Sequence, residues 1–92
     1  MFLEIVTPEA VILASEVDSV TVPGVDGEFQ MLDNHAAIVS ILEKGKVSFG
    51  GDVDIKDDVR KRFKKHDDGK WYFAVKGGVV EMKDNKVIVL AD

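Results

Sequence analysis

Residues 71–90 read WYFAVKGGVVEMKDNKVIVL, a stretch dense in aromatic and β-branched residues. In its first part apolar and more polar positions alternate, which is typical of a strand with one face in a core. Turn signals follow at Gly77-Gly78 and at Asp84-Asn85. Each turn separates two runs of strand-forming residues, so the stretch predicts two hairpins in succession.

Short apolar runs separated by Gly, Pro, Asp and Asn continue toward the N-terminus. They predict further strands at residues 3–7, 10–22, 28–31 and 46–49. The alternation slips within the second of these, which indicates a bulge or bend near Asp18-Ser19. Pro23-Gly24 then ends that segment, and Asp26-Gly27 is typical of a turn. The whole pattern favours an antiparallel all-β domain.

Two regions are less regular. Residues 36–42 contain six apolar residues out of seven, so they are compatible with a buried strand or a short helix, and the neighbouring strands favour a strand. Residues 50–70 hold six acidic and seven Lys or Arg residues with only four spaced apolar positions. We expect a charged hairpin insertion here, long and exposed, because dense charge protects strand edges from unwanted pairing.

Composition limits the range of functions. The chain has 92 residues, which is one domain's length, and contains no cysteine, so disulfides and thiolate metal sites are excluded. No apolar run approaches the roughly 20 residues of a membrane span, and the N-terminus lacks the basic start of a signal peptide. The first 43 residues hold eight carboxylates and no Lys or Arg. Such a field disfavours nucleic acid as the partner and favours docking onto a basic protein surface.

The residues with catalytic or metal-binding chemistry form no recognisable motif. The two histidines, His35 and His66, stand apart from any nucleophile pattern, and Asp33-Asn34 beside His35 offers too few ligands for a closed metal site. We therefore expect no catalytic residue, no metal and no cofactor. The basic run at residues 60–65 is bracketed by two Asp pairs, so a solvated face is favoured over RNA binding. The loop at residues 27–36 is the preferred interaction site.

This loop also carries a family resemblance. Residues 27–36, GEFQMLDNHA, resemble the GEFGILPGHAP motif of epsilon subunits of bacterial and chloroplast F-type ATP synthases. Four more stretches resemble segments of that family in the same order. They are LEIVTP at 3–8 (family L-x-I-V-T-P), VDSVTVPG at 17–24 (V-x-x-V-x-x-P-G), YFAVKGGVVEM at 72–82 (YFAVSGGFVEV) and VIVLAD at 87–92 (VTVLAD). Together they cover nearly the whole chain except residues 50–70.

The resemblance implies one antiparallel β-sandwich domain of about ten strands over residues 1–92. It implies a noncatalytic central-stalk (rotor) subunit that couples c-ring rotation to the gamma subunit and the catalytic head during proton-driven ATP synthesis. The gamma subunit and the c-ring are then its partners, and it reaches the cytoplasmic face of the bacterial inner membrane only through the ring. Carried over residue by residue, Glu28 and His35 face the ring, and the acidic Asp33 is added as their neighbour.

Three departures from the family pattern bear on this interpretation. Asp33-Asn34 replaces the usual Pro-Gly, and Asn is expected to supply the left-handed conformation of that Gly. Ala37 stands where a second proline is common. The sequence ends at Asp92, where typical members continue into a helical hairpin, so the expectation is a coupling clamp lacking that hairpin. The alternative from another class is a free-standing β-sandwich that binds a ligand or acts as an adaptor.

Overall fold

The computed structural model describes residues 1–92 and confirms an all-β fold of ten strands. The elements are β1 Phe2–Val6, β2 Val11–Glu16, β3 Ser19–Gly24, β4 Gly27–Leu32, β5 Ile38–Leu42, β6 Gly45–Gly50, a 3₁₀ turn Arg60–Arg62, β7 Lys64–Lys65, β8 Trp71–Val75, β9 Gly78–Lys83 and β10 Lys86–Ala91. Residues 38–42 are thus a strand, as expected. None of the elements is a helix with the length and apolar character needed to cross a bilayer.

The strands form two layers. Pairing runs β2-β1-β10-β9-β5 and continues through β3-β6-β8-β7, with β4 on the other side of β3. Between β5 and β3 the only paired residues are Gly24 and Leu42, so the sheet folds back there. The first layer is β2-β1-β10-β9-β5, and the second is β4-β3-β6-β8-β7. All pairs are antiparallel except β1 and β10, which are parallel. A tight turn would require β1 and β10 to be antiparallel, and no such turn connects them, so a parallel pair is possible here.

The core lies between the layers. Alternate side chains of both layers point inward and form one cluster of 21 buried hydrophobic residues. The predicted bend is present, because β2 ends at Glu16 and β3 begins at Ser19. A bulge lies elsewhere, where the β1–β2 register shifts between Ile5 and Val6. Because of this shift the adjacent residues Ile12 and Leu13 are both buried.

The prediction of two successive hairpins is half right. β9 and β10 form a hairpin around Asp84-Asn85, but β8 pairs with β6 and β7 and not with β9. Gly77-Gly78 instead carries the chain from the second layer to the first. Gly78 has φ +145, and a β-carbon there would overlap the carbonyl oxygen of Leu90. Glycine is required for the crossing, and local alternation does not distinguish such a crossing from a hairpin turn.

The long, exposed hairpin expected at residues 50–70 is absent. Only Lys64–Lys65 pair with β8, and residues 51–63, hereafter the bridging segment, contain no strand. Ile55 and Phe63 are each only 5% exposed. The Phe63 ring packs at 5.8 Å from that of Phe49 and at 5.4 Å from that of Phe73. β2 and β7 lie at the two ends of the strand order, and each has a neighbouring strand on one side only. The two layers are therefore not joined by strand pairing along this side, and the side chains of Ile55 and Phe63 cover the core there. That the segment is an insertion relative to the family stays a prediction.

Candidate interaction surfaces

The first candidate surface follows β4, the hairpin partner of β3. Along β4 the side chain of Met31 is fully buried and that of Phe29 is half-buried, as their predicted shared face requires. The intervening side chains are exposed, and so is every residue from 32 to 37. The outward side of the strand therefore runs without interruption into the loop. We call this surface the β4 strip and define it as Glu28, Gln30, Leu32, Asp33 and His35.

The three residues expected to face the ring occupy different places in this strip. Glu28 lies near the start of β4 and takes part in none of the three ion pairs of the molecule. Asp33 and His35 share the loop after β4, five and seven residues further on. Five extended residues span roughly 16 Å, so Glu28 does not touch Asp33. His35 is exposed, and its Nδ1 lies 2.7 Å from the carbonyl oxygen of Ala36.

Asp33 has a structural partner that the sequence did not indicate. Its Oδ1 accepts a hydrogen bond from the Met1 amino group at 2.7 Å, and Oε2 of Glu16 accepts one at 3.3 Å. The hydrogen bond to Asp33 is the main reason that the pKa of the Met1 amine is raised above its usual 8.0. Burial lowers this pKa, and the hydrogen bond to Glu16 raises it further. The Asp33 side chain is nevertheless 59% exposed. The carboxylate thus fastens the loop to β1 and still faces solvent.

A second fastening involves two asparagines. Asn34 has φ +63, which confirms that it takes the left-handed conformation expected in place of glycine. Its backbone N–H donates to Oδ1 of Asn85 at 2.8 Å, and the carbonyl oxygen of Asn85 accepts from Phe2 N–H at 3.0 Å. The loop is therefore tied to the β9–β10 turn. The local sequence predicts a turn at Asp84-Asn85 but not this contact, because Asn34 lies 51 residues away from Asn85.

The second candidate surface lies on the outer face of the first layer. The strand registers align five outward aliphatic side chains in one line, hereafter the aliphatic row: Val11, Val6, Leu90, Val79 and Ile41. With strands about 4.8 Å apart the row spans roughly 19 Å. Ile41 is 63% exposed, and its neighbour on β5, Val39, is 70% exposed. Val11 and Leu90 are exposed as well, while Val6 and Val79 are half-buried. A row of outward apolar side chains of this kind is typical of protein–protein contact.

The sequence did not reveal this row. The apolar run at residues 36–42 predicts a buried strand, yet β5 buries Leu42 and leaves Val39 and Ile41 in solvent. The sequence shows that Val39 and Ile41 are apolar but not that they are exposed. Only the registers show that their neighbours on β9 and β10 are apolar as well.

The basic run at residues 60–65 does not form one face. Arg60 contacts Asp57 at 3.7 Å and donates to the carbonyl oxygen of Ile55 at 3.4 Å. Arg62 and Lys65 lie over different aromatic rings, those of Phe73 and Trp71. His66 is exposed and stacks on Tyr72, with ring centroids 4.1 Å apart. No three His, Asp or Glu side chains are grouped closely enough to hold a metal ion.

Comparison with protein families gives one match over the entire chain. The model described as the β-sandwich domain of the ATP synthase delta/epsilon chain matches residues 1–92. The ATP synthase epsilon chain of Campylobacter concisus is 37% identical over 92 residues, which cover 100% of this chain and 60% of that one. The epsilon chain of Desulforamulus reducens is 40% identical, with 98% and 57% of the two chains covered. The chain thus spans about 60% of the length of such relatives.

Solved structures share the fold. A chain in the central stalk and c-ring structure of the Tetrahymena thermophila mitochondrial ATP synthase superposes with a TM-score of 0.74 at 18% identity. The alignment covers 99% of this chain and 62% of that one. A chain in the Euglena gracilis mitochondrial ATP synthase gives 0.71 at 21% identity, over 97% and 48% of the two chains.

Proposed function

The chain belongs to the ATP synthase delta/epsilon family, and we propose that it acts as a noncatalytic central-stalk subunit of an F-type ATP synthase. In this role it couples rotation of the c-ring to the gamma subunit and the catalytic head during proton-driven ATP synthesis. The observation that carries the proposal is the match of the family's β-sandwich domain to residues 1–92. Contact with the bacterial inner membrane, at its cytoplasmic face, is indirect and passes through the ring.

The β4 strip is the proposed contact with the c-ring. Glu28, Asp33 and His35 are exposed there, and the first two add negative charge to a half of the chain that has no Lys or Arg. The polar ring loops of the resembled family carry a basic residue, so the charges are complementary. The loop is also fastened at Asp33 and Asn34, which limits its motion under load.

The aliphatic row is the proposed contact with the gamma subunit. Its exposed side chains gain about 25 cal/mol for each Å² that a partner removes from water. Two surfaces of different chemistry, polar on the β4 strip and aliphatic on the row, suit two different partners. One shared core joins the layers that carry them, so a force on one surface reaches the other through packed side chains.

Association with the gamma subunit tests this proposal. The wild-type chain is expected to co-purify with the gamma subunit of the same organism, and Ile41→Lys is expected to weaken the complex at least about tenfold because it buries a charge. Ala74→Lys is the matched control, since Ala74 is an exposed outward residue of the second layer. If the wild-type chain does not bind the gamma subunit and instead binds a small ligand tightly, the result would support the ligand-binding alternative.

A further inference from the structure

The edge strand β2 leaves backbone groups without a partner in the chain. β2 ends the strand order, and β1 is its only neighbour. Val17 N–H donates to the Met1 carbonyl oxygen at 2.8 Å, and the register continues with Leu3 opposite Ser15. Bonded pairs alternate in an antiparallel ladder, so the N–H and C=O of Ala14 point away from β1. None of the backbone bonds outside the strands involves Ala14.

A groove runs beside this edge. One wall is β2 from Val11 to Ala14, and the other is the bridging segment at Asp54, Lys56, Asp58 and Val59. Its volume is about 120 Å³. The hydrogen bond between the two walls runs from Asp54 N–H to Oγ of Ser15 at 3.2 Å. The bridging segment therefore lies next to the edge without pairing with it along its length.

The edge also lacks the residues that commonly block strand addition. Its sequence, VILASE, contains neither lysine nor proline. The charged side chains of the groove lining are two carboxylates, Asp54 and Asp58, and one ammonium group, Lys56. At the end of β2, the Glu16 side chain is 76% exposed and is paired with the Met1 amino group at 3.3 Å. The charged side chains that line the groove therefore sum to −1.

We propose that the open edge of β2 binds an extended, basic segment of a partner polypeptide as an added strand. The partner backbone pairs with the N–H and C=O of Ala14, in the manner of β-augmentation. Side chains alternate along such a strand, so apolar ones enter the groove while Lys or Arg side chains meet Asp54 and Asp58. This site is separate from the β4 strip, and it meets the aliphatic row only at Val11.

A synthetic peptide tests the site directly. The probe is a capped hexapeptide of alternating Lys and Val, titrated into the 92-residue chain and followed by backbone NMR. Saturable binding is expected, with hydrogen exchange of the Ala14 amide slowed at least about tenfold at saturation. Ala14→Pro is expected to abolish binding, because it removes the outward N–H without removing a bond to β1.

If Ala14→Pro does not fold, charge variants still test whether the peptide binds at the β2 edge. Asp54→Asn with Asp58→Asn is expected to weaken peptide binding about fivefold. The matched control, Asp26→Asn with Asp67→Asn, removes the same charge outside the groove and is expected to have no effect. Three results would overturn the proposal: no saturable binding, equal weakening by both double variants, or a folded Ala14→Pro chain that binds like wild type. A fourth contrary result would be a dimer in sedimentation whose Ala14 amide is already protected from hydrogen exchange without peptide.

Discussion

At the scale of single residues, the left-handed backbone positions hold the β4 strip in place. Asn34, Asp84 and Asn85 all have φ between +52 and +63. A left-handed residue costs roughly 1–2 kcal/mol, and least for Asn and Asp, whose short side chains bond locally. Asn85 uses its side chain for a distant partner, the amide of Asn34. The two turns therefore stabilise each other across 51 residues of sequence.

Substitution of Asn85 tests this coupling. Asn85→Gly keeps the backbone conformation but removes Oδ1, so we expect a loss of about 1 kcal/mol of unfolding free energy and faster hydrogen exchange at the Asn34 amide. Asp84→Gly is the control, because Asp84 has a similar φ and its side chain makes no hydrogen bond. Urea unfolding and amide exchange measure the two effects. Equal exchange rates at Asn34 in both variants would contradict the coupling.

The Met1–Asp33 contact makes stability depend on pH. The pKa of the Met1 amine is raised above 8.0 in the folded chain, so the folded state holds this proton more tightly than the unfolded state. The stabilisation is therefore complete below pH 8.0 and is lost as pH rises through the raised folded value. We expect the unfolding free energies of wild type and Asp33→Asn, measured with urea from about pH 7 to about pH 10, to differ less as the pH rises. A difference that stays constant with pH would contradict this prediction.

At the scale of elements, the bridging segment behaves as part of the core despite its charge. Its polar residues face solvent, while Ile55 and Phe63 enter the cluster and Val53 and Val59 pack against it. Strand β5 shows the opposite case, since it is largely apolar yet leaves Val39 and Ile41 exposed. The composition of an element thus does not give its burial, which depends on what lies against each face.

Truncation of Phe63 tests the role of the bridging segment. Phe63→Ala removes a ring packed against two others, so it is expected to cost about 3–4 kcal/mol of unfolding free energy. Lys61→Ala, an exposed position two residues earlier, is expected to change stability by less than about 0.5 kcal/mol. Urea denaturation of both variants provides the measurement. A mild effect of Phe63→Ala would mean that the segment is only peripheral.

At the scale of the whole molecule, a single core supports surfaces of different chemistry. The β4 strip belongs to the second layer and the aliphatic row to the first. Apart from Asp33, which bonds to Met1, the side chains on these surfaces contribute little to the core, so binding and folding are separable there. The proposed coupling role requires a packed core between the two surfaces, because torque would have to pass from one partner to the other without local deformation.

Substitutions in the β4 strip test this separation. Glu28→Ala and His35→Ala are expected to leave the isolated domain folded, with unfolding free energies within about 0.5 kcal/mol of wild type. They are expected to weaken association with the c-ring while leaving association with gamma unchanged. Thermal unfolding and pull-downs with each partner distinguish the two effects. A large drop in melting temperature for either variant would show that the strip has a structural role instead.

The sequence by itself determined most of the strand segments and turns, and the family. Alternation at residues 71–75 and 28–31 reports which side chains are buried, and Asn34 reports a left-handed position, because both are local properties. The ring-contact residues Glu28, Asp33 and His35 came from resemblance and stay a prediction.

Tertiary structure alone decided that Gly77-Gly78 crosses between layers and that residues 51–63 close the sandwich. It also decided that Asp33 binds Met1 and that aliphatic residues of five strands form one row. These features join residues far apart in the chain, and a local pattern says which face is buried without saying which strand lies beside it.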